Sequence, residues 1–503
     1  MKIPRLEKKD FLPFLIYLYL FLPFAIFLVG WTKPVVSIPV LAVLAVCFYR
    51  MVRSFPELWL PKITRENLFN TGIILFVIFV WVYFSGIGGF TAQNTDHALR
   101  NGIFQLLVKE KWPVVINSMW GLEQPTALVY YFGFWLPAAV IGKLFGLAAG
   151  NIAQIIWASV GIFFFYCLII AKYVKKIVFW PLLVLIFFSG LDILGMYFLG
   201  NKISDVSSTA HIEWWGNPFQ FSSMTTQLFW VFNQAVPAWL AVLVLLAQKN
   251  SRYVAVIIAL TMITSTFPFV GLVILAICVV VRNAVSGNIN KQAGVYIRDI
   301  FTFENIAGGG LIGIISFLFL IANISGNNIN LDNFQSVERT VFLWFLFYML
   351  EAGVYLVAVW KYQKNNYLFY YSALWLAVCP WIVVGYSIDF CMRASIPALV
   401  IVLLMVIDTI NKCYSVRDFK PLIAIVIVLV IGSSTPIKEI TRTTADTVAR
   451  ARGGQRMALD ARNPFESGNF SGYIKDGIFF KYLARLPEGR GDLSNTKTER
   501  KSE

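Results

Sequence analysis

Four residues that can handle protons and hydrogen bonds, Asn94, Asp96, His97 and Arg100, fall within seven positions of one another in this 503-residue chain. They open the first long polar interruption of an otherwise apolar sequence, Gly88 to Gly146. A carboxylate there, beside hydrogen-bonding neighbours, is suited to accept a proton from a substrate hydroxyl. The same residues also suit a helix start, because Leu99, Ile103, Leu106 and Leu107 recur on one helical face just downstream and Asn, Thr or Asp caps such a helix. Capping and catalysis are compatible roles. His97 beside Asp96 could tune the acid, although a histidine next to an acid is by itself a common pairing.

Two further acids lie inside apolar runs. Asp192, in Phe187-Phe188-Ser189-Gly190-Leu191-Asp192-Ile193, sits about 10 Å below the outer end of its run at the helical rise per residue. An ionisable group at that depth is costly and points to function. Glu351, in Leu350-Glu351-Ala352-Gly353, is read instead as the buried structural partner of a Lys or Arg.

A second polar stretch, His211-Ile212-Glu213-Trp214-Trp215 followed by Asn217, Gln220, Ser222 and Ser223, combines ring faces with amides and a carboxylate. Sugars need that combination, since their C–H faces stack on rings while their hydroxyls seek polar groups. An interfacial aromatic belt accounts for the tryptophans but not for the adjoining Glu and amides. Asn233 and Gln234 extend the polar strip into the next apolar run. Arg393, at the edge of another run, is placed to meet a lipid phosphate or, alternatively, to pair with Asp389 four residues earlier.

The elements that must hold these residues are membrane helices. The chain is 58% hydrophobic, 16% aromatic and only 14% charged, with a mean hydropathy of +0.69. Soluble domains carry about a quarter charged residues, so the fold class expected is an all-α polytopic membrane protein. The formal net charge of +15 is read as loop charge obeying the positive-inside rule, not as a nucleic-acid surface. Six cysteines stand singly, with no Cys-x-x-Cys pair and hence no zinc or disulfide pattern.

Placing the basic loops (Lys8 and Lys9; Arg50 and Arg53; Lys172, Lys175 and Lys176; Lys249 and Arg252; Lys361 and Lys364; Lys412, Arg417 and Lys420) on one face predicts about thirteen membrane segments. The N-terminus is then cytoplasmic and the C-terminus outside. The count closes only if Pro125 to Leu147 is interfacial or re-entrant and if Tyr253 to Val281, interrupted at Thr264 to Pro268, is a hairpin of partial depth. The organisation expected is a membrane domain over 1–434, with a first large outer loop at 88–150 bearing interfacial helices, and an outer tail over 435–503 that begins as a polar helix and ends in disorder.

With these features placed, the chain resembles the GT-C class of integral-membrane glycosyltransferases. The resemblance is carried by an acid early in the first large outer loop (Asp96), the interfacial segment Pro125 to Leu147, the partial hairpin and the outer tail. It departs from the class in having two runs ahead of the one that feeds the loop, and in following Asp96 with His97 rather than a second acid. The resemblance implies an enzyme transferring a hexose or pentose from a polyprenyl-phosphate-linked donor to an outer-face glycan, lipid or protein. It implies Asp96 and Asp192 as catalytic residues, and Asn94, His97, Arg100, Glu213, Trp214, Trp215, Gln220, Asn233 and Arg393 as substrate-binding ones. Membrane lipids and a lipid-linked sugar are the partners implied, and nucleic acid is not. No cofactor is required by this reading, and use of a divalent metal stays open. The location implied is a bacterial cytoplasmic membrane. Two other functions fit the same composition: a transporter or flippase of lipid-linked sugars, and a polysaccharide ligase or polymerase.

Overall fold

In lipid every backbone N–H and C=O must find an internal partner, which leaves the helix as the economical solution for long apolar runs. The computed structural model bears this out over residues 8–59, 61–62, 64–116, 125–200, 211–289, 298–323, 337–384, 389–467, 469–475 and 477–486, the part of the chain it describes. The end of the outer tail, expected to be disordered, lies outside these residues after 486.

Among the described residues ten helical stretches, one of them interrupted before Asp192, are long and apolar enough to cross a membrane, against about thirteen membrane segments expected. The protein is thus an integral membrane protein of all-α type. The difference lies in short elements. Gly133–Phe145 and Glu304–Leu320 are apolar but shorter than a span, and Tyr367–Val378 covers 12 residues before a turn at Cys379–Trp381. The expected hairpin at Tyr253 to Val281 brings its two ends together, with Asn283 Nδ2 donating to Ser251 Oγ at 3.1 Å, but its second arm is longer than expected. Val254–Ala259 is a short helix, but Thr266–Ile289 is a single helix of 24 residues. Pro268 begins this helix instead of breaking it, because a proline in the first turn lacks an N–H that would have had no helical partner anyway.

The helix Met224–Ala247 is the centre of the bundle and almost entirely buried, whereas Arg65–Tyr83 and Phe419–Gly432 are mostly exposed and form its outer surface. Around the central helix pack Leu147–Ile169, Thr266–Ile289, Ile396–Val416 and Ser434–Arg452. The central helix is kinked at Val231 (φ −139°, ψ 32°). Just before the kink the Phe229 carbonyl accepts hydrogen bonds from Asn94 Nδ2 (2.8 Å) and His97 Nε2 (3.2 Å), which fastens the first polar loop to the bundle axis.

Pro125 to Leu147 is not one segment. It holds strand β2 (Thr126–Leu128), a short turn of helix and the helix Leu136–Phe145, and Leu147 already starts the next long helix. β2 pairs antiparallel with β1 (Val115–Ile116) on one side and with β3 (Ser471–Tyr473) of the C-terminal region on the other. The C-terminal region therefore packs back on the first loop. Arg462 N donates to the Ala98 carbonyl at 2.9 Å. A Cβ at Gly102 would lie 1.9 Å from the Arg462 carbonyl oxygen, so only glycine permits this approach.

Candidate functional site

One cavity of about 370 Å³ gathers residues, most of them polar or aromatic, from four separate stretches of chain: Asp96; His211, Trp214, Asn217 and Gln220; Trp230 and Val231; and Asp389, Met392 and Arg393. Asp96 precedes the helix His97–Lys109, and its carboxylate makes no capping hydrogen bond. Asn94 Oδ1 instead accepts from Asp96 N at 3.2 Å. The Asp96 carboxylate is thereby left to face outward, 44% exposed, with Oδ2 held by Arg100 Nη2 at 2.9 Å. The Arg100 guanidinium lies over the Phe232 ring, 5.6 Å from its centroid.

Arg393 approaches from the far part of the sequence. Its Nη1 pairs with Asp389 Oδ2 at 3.1 Å and donates to the Tyr131 hydroxyl at 3.2 Å. Its Nε is buried without a hydrogen-bond partner among the described residues, and so is Arg100 Nη1. A buried N–H left unpaired costs about 1–3 kcal/mol, more for a charged group.

The rest of the cavity wall is aromatic and amide. Trp214 is 51% exposed. His211 stacks on Trp230 at 5.0 Å, and Trp230 Nε1 donates to Glu439 Oε2 at 2.9 Å. His211 Nδ1 lies 3.8 Å from Glu439 Oε1. Burial pushes the His211 imidazole below its ordinary range, with the Glu439 carboxylate opposing. Arg442 Nη2 holds Glu439 at 2.6 Å and its guanidinium covers the Trp230 ring, so the helix Ser434–Arg452 forms a second layer behind the cavity.

Several residues expected at a substrate lie elsewhere. His97 is fully buried; Nε2 meets a carbonyl, which fixes it as the donor, and Nδ1 then accepts from Gln93 Nε2 at 3.3 Å. Burial first, and then the Arg100 charge, hold His97 down to about 3, so it serves as a neutral strut. Glu213 is buried behind Gln220, accepting from Gln220 Nε2 and Ser223 N, both at 2.9 Å. Burial first and Asp192 second raise its pKa. Asn233 is buried below the cavity, with Nδ2 unpaired among the described residues.

Asp192 is not within a continuous helix. It starts Asp192–Phe198 after a break that follows Trp180–Phe187. Neighbouring helices satisfy the backbone groups the break exposes: Leu191 N donates to the Leu350 carbonyl, and Met224 N to that of Phe188, both at 3.1 Å. Asp192 does not line the cavity; its carboxylate accepts from Ser189 Oγ (3.0 Å), Thr435 Oγ1 (2.7 Å) and Trp215 Nε1 (3.2 Å). Trp215 Nε1 also reaches Glu351 Oε1 at 3.1 Å, so Glu351 meets an indole and another carboxyl group where a lysine or arginine was expected. A Cβ on Gly190 would collide with Glu351 Oε2 at 1.7 Å, which explains the glycine in this break.

Sequence reasoning passed over His211, Asn217, Trp230 and Asp389 as site residues, although the first two belonged to a stretch already singled out. Glu439 and Arg442, in the polar tail helix, carried no signal that they would stand behind Trp230. Among the described residues no group of three or more His, Cys, Asp or Glu is arranged to hold a metal ion. No protein family, curated protein or solved structure was found that matches this chain.

Proposed function

We propose that this protein is a membrane glycosyltransferase of the GT-C type, transferring a sugar from a polyprenyl-phosphate donor to a hydroxyl-bearing acceptor at the outer face. The observation that carries the reading is the convergence of Asp96, Arg393, Trp214, Trp230, Asn217 and Gln220 on one cavity. Asp96 takes the acceptor hydroxyl proton through Oδ1, since Oδ2 is engaged by Arg100. The acceptor oxygen then forms a bond to the anomeric carbon as the bond from that carbon to the phosphate oxygen breaks. The lipid phosphate leaves with the electron pair, and the Arg393 guanidinium, which lines the cavity, supplies positive charge for the negative charge that develops. Trp214 and Trp230 supply ring faces, and the two amides bind hydroxyls. In this reading Asp192 supports the site through Trp215 without touching substrate.

The test is purified protein in proteoliposomes with a radiolabelled polyprenyl-phosphate-linked hexose or pentose and a panel of glycan and lipid acceptors. Label should move to an acceptor with the wild-type chain and not with Asp96→Asn. A donor panel that yields no transfer, and no difference between the two proteins, removes the reading.

A transporter of lipid-linked sugars is the second reading, favoured by the Asp192 and Glu351 carboxyl groups buried together within apolar helices. It predicts that the same proteoliposomes move the intact donor across the bilayer with no acceptor present, and that Glu351→Gln abolishes this movement.

A further inference from the structure

A larger cavity, about 740 Å³, lies at the other end of the bundle. The central helix separates the two: Trp230 and Val231 near its start line the first, while Arg252 and Tyr253, just beyond its end at Ala247, line the second. At the helical rise that separation is about 30 Å, the thickness of a bilayer's hydrocarbon core.

Four arginines line this second cavity, Arg50, Arg53, Arg252 and Arg298, against two carboxylates, Asp299 and Glu304. Two of the four are already paired: Arg50 Nη1 with Glu304 Oε1 at 2.9 Å, and Arg53 Nη1 with Asp10 Oδ2 at 2.7 Å. Arg252 and Arg298 are exposed, and neither side chain has a carboxylate partner among the described residues. The mouth of the cavity is apolar. Phe301 and Phe303 are 69% and 46% exposed. Ile306, Ile314 and Phe317 are exposed at intervals along the helix Glu304–Leu320, so apolar surface extends from the cavity mouth along it.

We infer that this cavity binds the phosphate headgroup of an anionic membrane lipid, with its acyl chains lying along the exposed face of Glu304–Leu320. Guanidinium groups match phosphate oxygens in pairs, which a dispersed set of lysines does not. A soluble phosphate offers the same oxygens but has no use for the apolar surface. This assignment stands apart from the glycosyltransferase reading, since it concerns the opposite end of the molecule and its test needs no turnover.

The experiment is native mass spectrometry of the detergent-purified full chain titrated with phosphatidylglycerol or phosphatidylcholine, alongside thermal shift with inorganic pyrophosphate. The Arg252→Gln/Arg298→Gln variant alters exposed side chains and should fold. It should retain phosphatidylglycerol at least fivefold less well than wild type, with phosphatidylcholine unaffected. The control is Lys364→Gln/Lys420→Gln, which removes the same charge from exposed positions. Lys364 lies at the same end of the bundle, which Arg282 over the Tyr367 ring and Asn283 bonded to Ser251 tie together. It should keep near wild-type retention. Equal loss in both double variants, or loss in neither, overturns the site. Stabilisation by pyrophosphate that disappears in Arg252→Gln/Arg298→Gln, with phosphatidylglycerol retention unchanged, overturns the lipid as its occupant.

Discussion

Asp96 and Arg393 face one cavity from distant parts of the chain, and each is steadied by an opposite charge four residues away, Asp96 by Arg100 and Arg393 by Asp389. Both pairs are half open: the cavity-facing acids, Asp96 and Asp389, are 44% and 42% exposed, while the two guanidiniums are nearly buried. Ordinary surface ion pairs of this spacing contribute only a few tenths of a kcal/mol. Their value here lies in orienting a carboxylate and a guanidinium toward the same space.

Asp96→Asn is expected to lower transfer by about 100-fold to 10,000-fold, the range for losing a general base. The folded protein should survive, since the carboxylate caps no helix. Turnover and thermal unfolding measured on one preparation check this, and near-normal turnover would take the base role away from Asp96.

Arg393→Ala should abolish donor use and Arg393→Lys weaken it, because lysine keeps the charge but loses the fork. Asp389→Ala should have a small effect if its pairing is only orientational. Donor-lipid binding by the three variants is the measurement. Similar small losses for Arg393→Ala and Asp389→Ala would reduce the pair to surface structure.

The adjacent tryptophans should separate binding from stability. Trp214→Ala, at an exposed cavity wall, should raise KM with little change in melting. Trp215→Phe removes the indole N–H shared by Asp192 and Glu351 and should destabilise by about 1–3 kcal/mol. Denaturation and KM for both variants decide between these outcomes.

His97 supplies a pH dependence with a definite sign. Its folded-state pKa is about 3, depressed from the ordinary 6.5 by burial first and by Arg100 second. The stabilisation is present above pH 6.5 and is lost as pH falls toward 3, at up to about 1.4 kcal/mol per pH unit. Melting temperature followed from pH 7 to pH 4 should fall less steeply in His97→Gln than in wild type. Parallel curves would place the acid sensitivity elsewhere.

Lys175 follows the helix Leu147–Ile169 at the end of the bundle far from the cavity, and Gln455 follows Ser434–Arg452 at the cavity end. Single cysteines at these positions in a cysteine-free background should be labelled from opposite sides of the membrane. Labelling of both from one side would contradict the proposed orientation.

Composition and hydropathy by themselves determined that the chain is a helical membrane protein, because lipid leaves an apolar backbone almost no other way to satisfy its hydrogen bonds. They also flagged Asp96, Arg393, Trp214 and Gln220, whose polarity is conspicuous against apolar surroundings. Helix number was less legible, since hydropathy sees apolar runs but not where Pro268 starts a helix or where Tyr367–Val378 stops short. Only the tertiary structure decided which polar residues share a space. His97 and Asp96 are neighbours in sequence, yet one turns inward to the Phe229 carbonyl and the other outward to the cavity. Trp214 and Trp215 diverge in the same way. Helical geometry sends adjacent side chains about 100° apart, so which one meets the cavity depends on how the helices pack, and that packing is set by contacts between residues hundreds of positions apart.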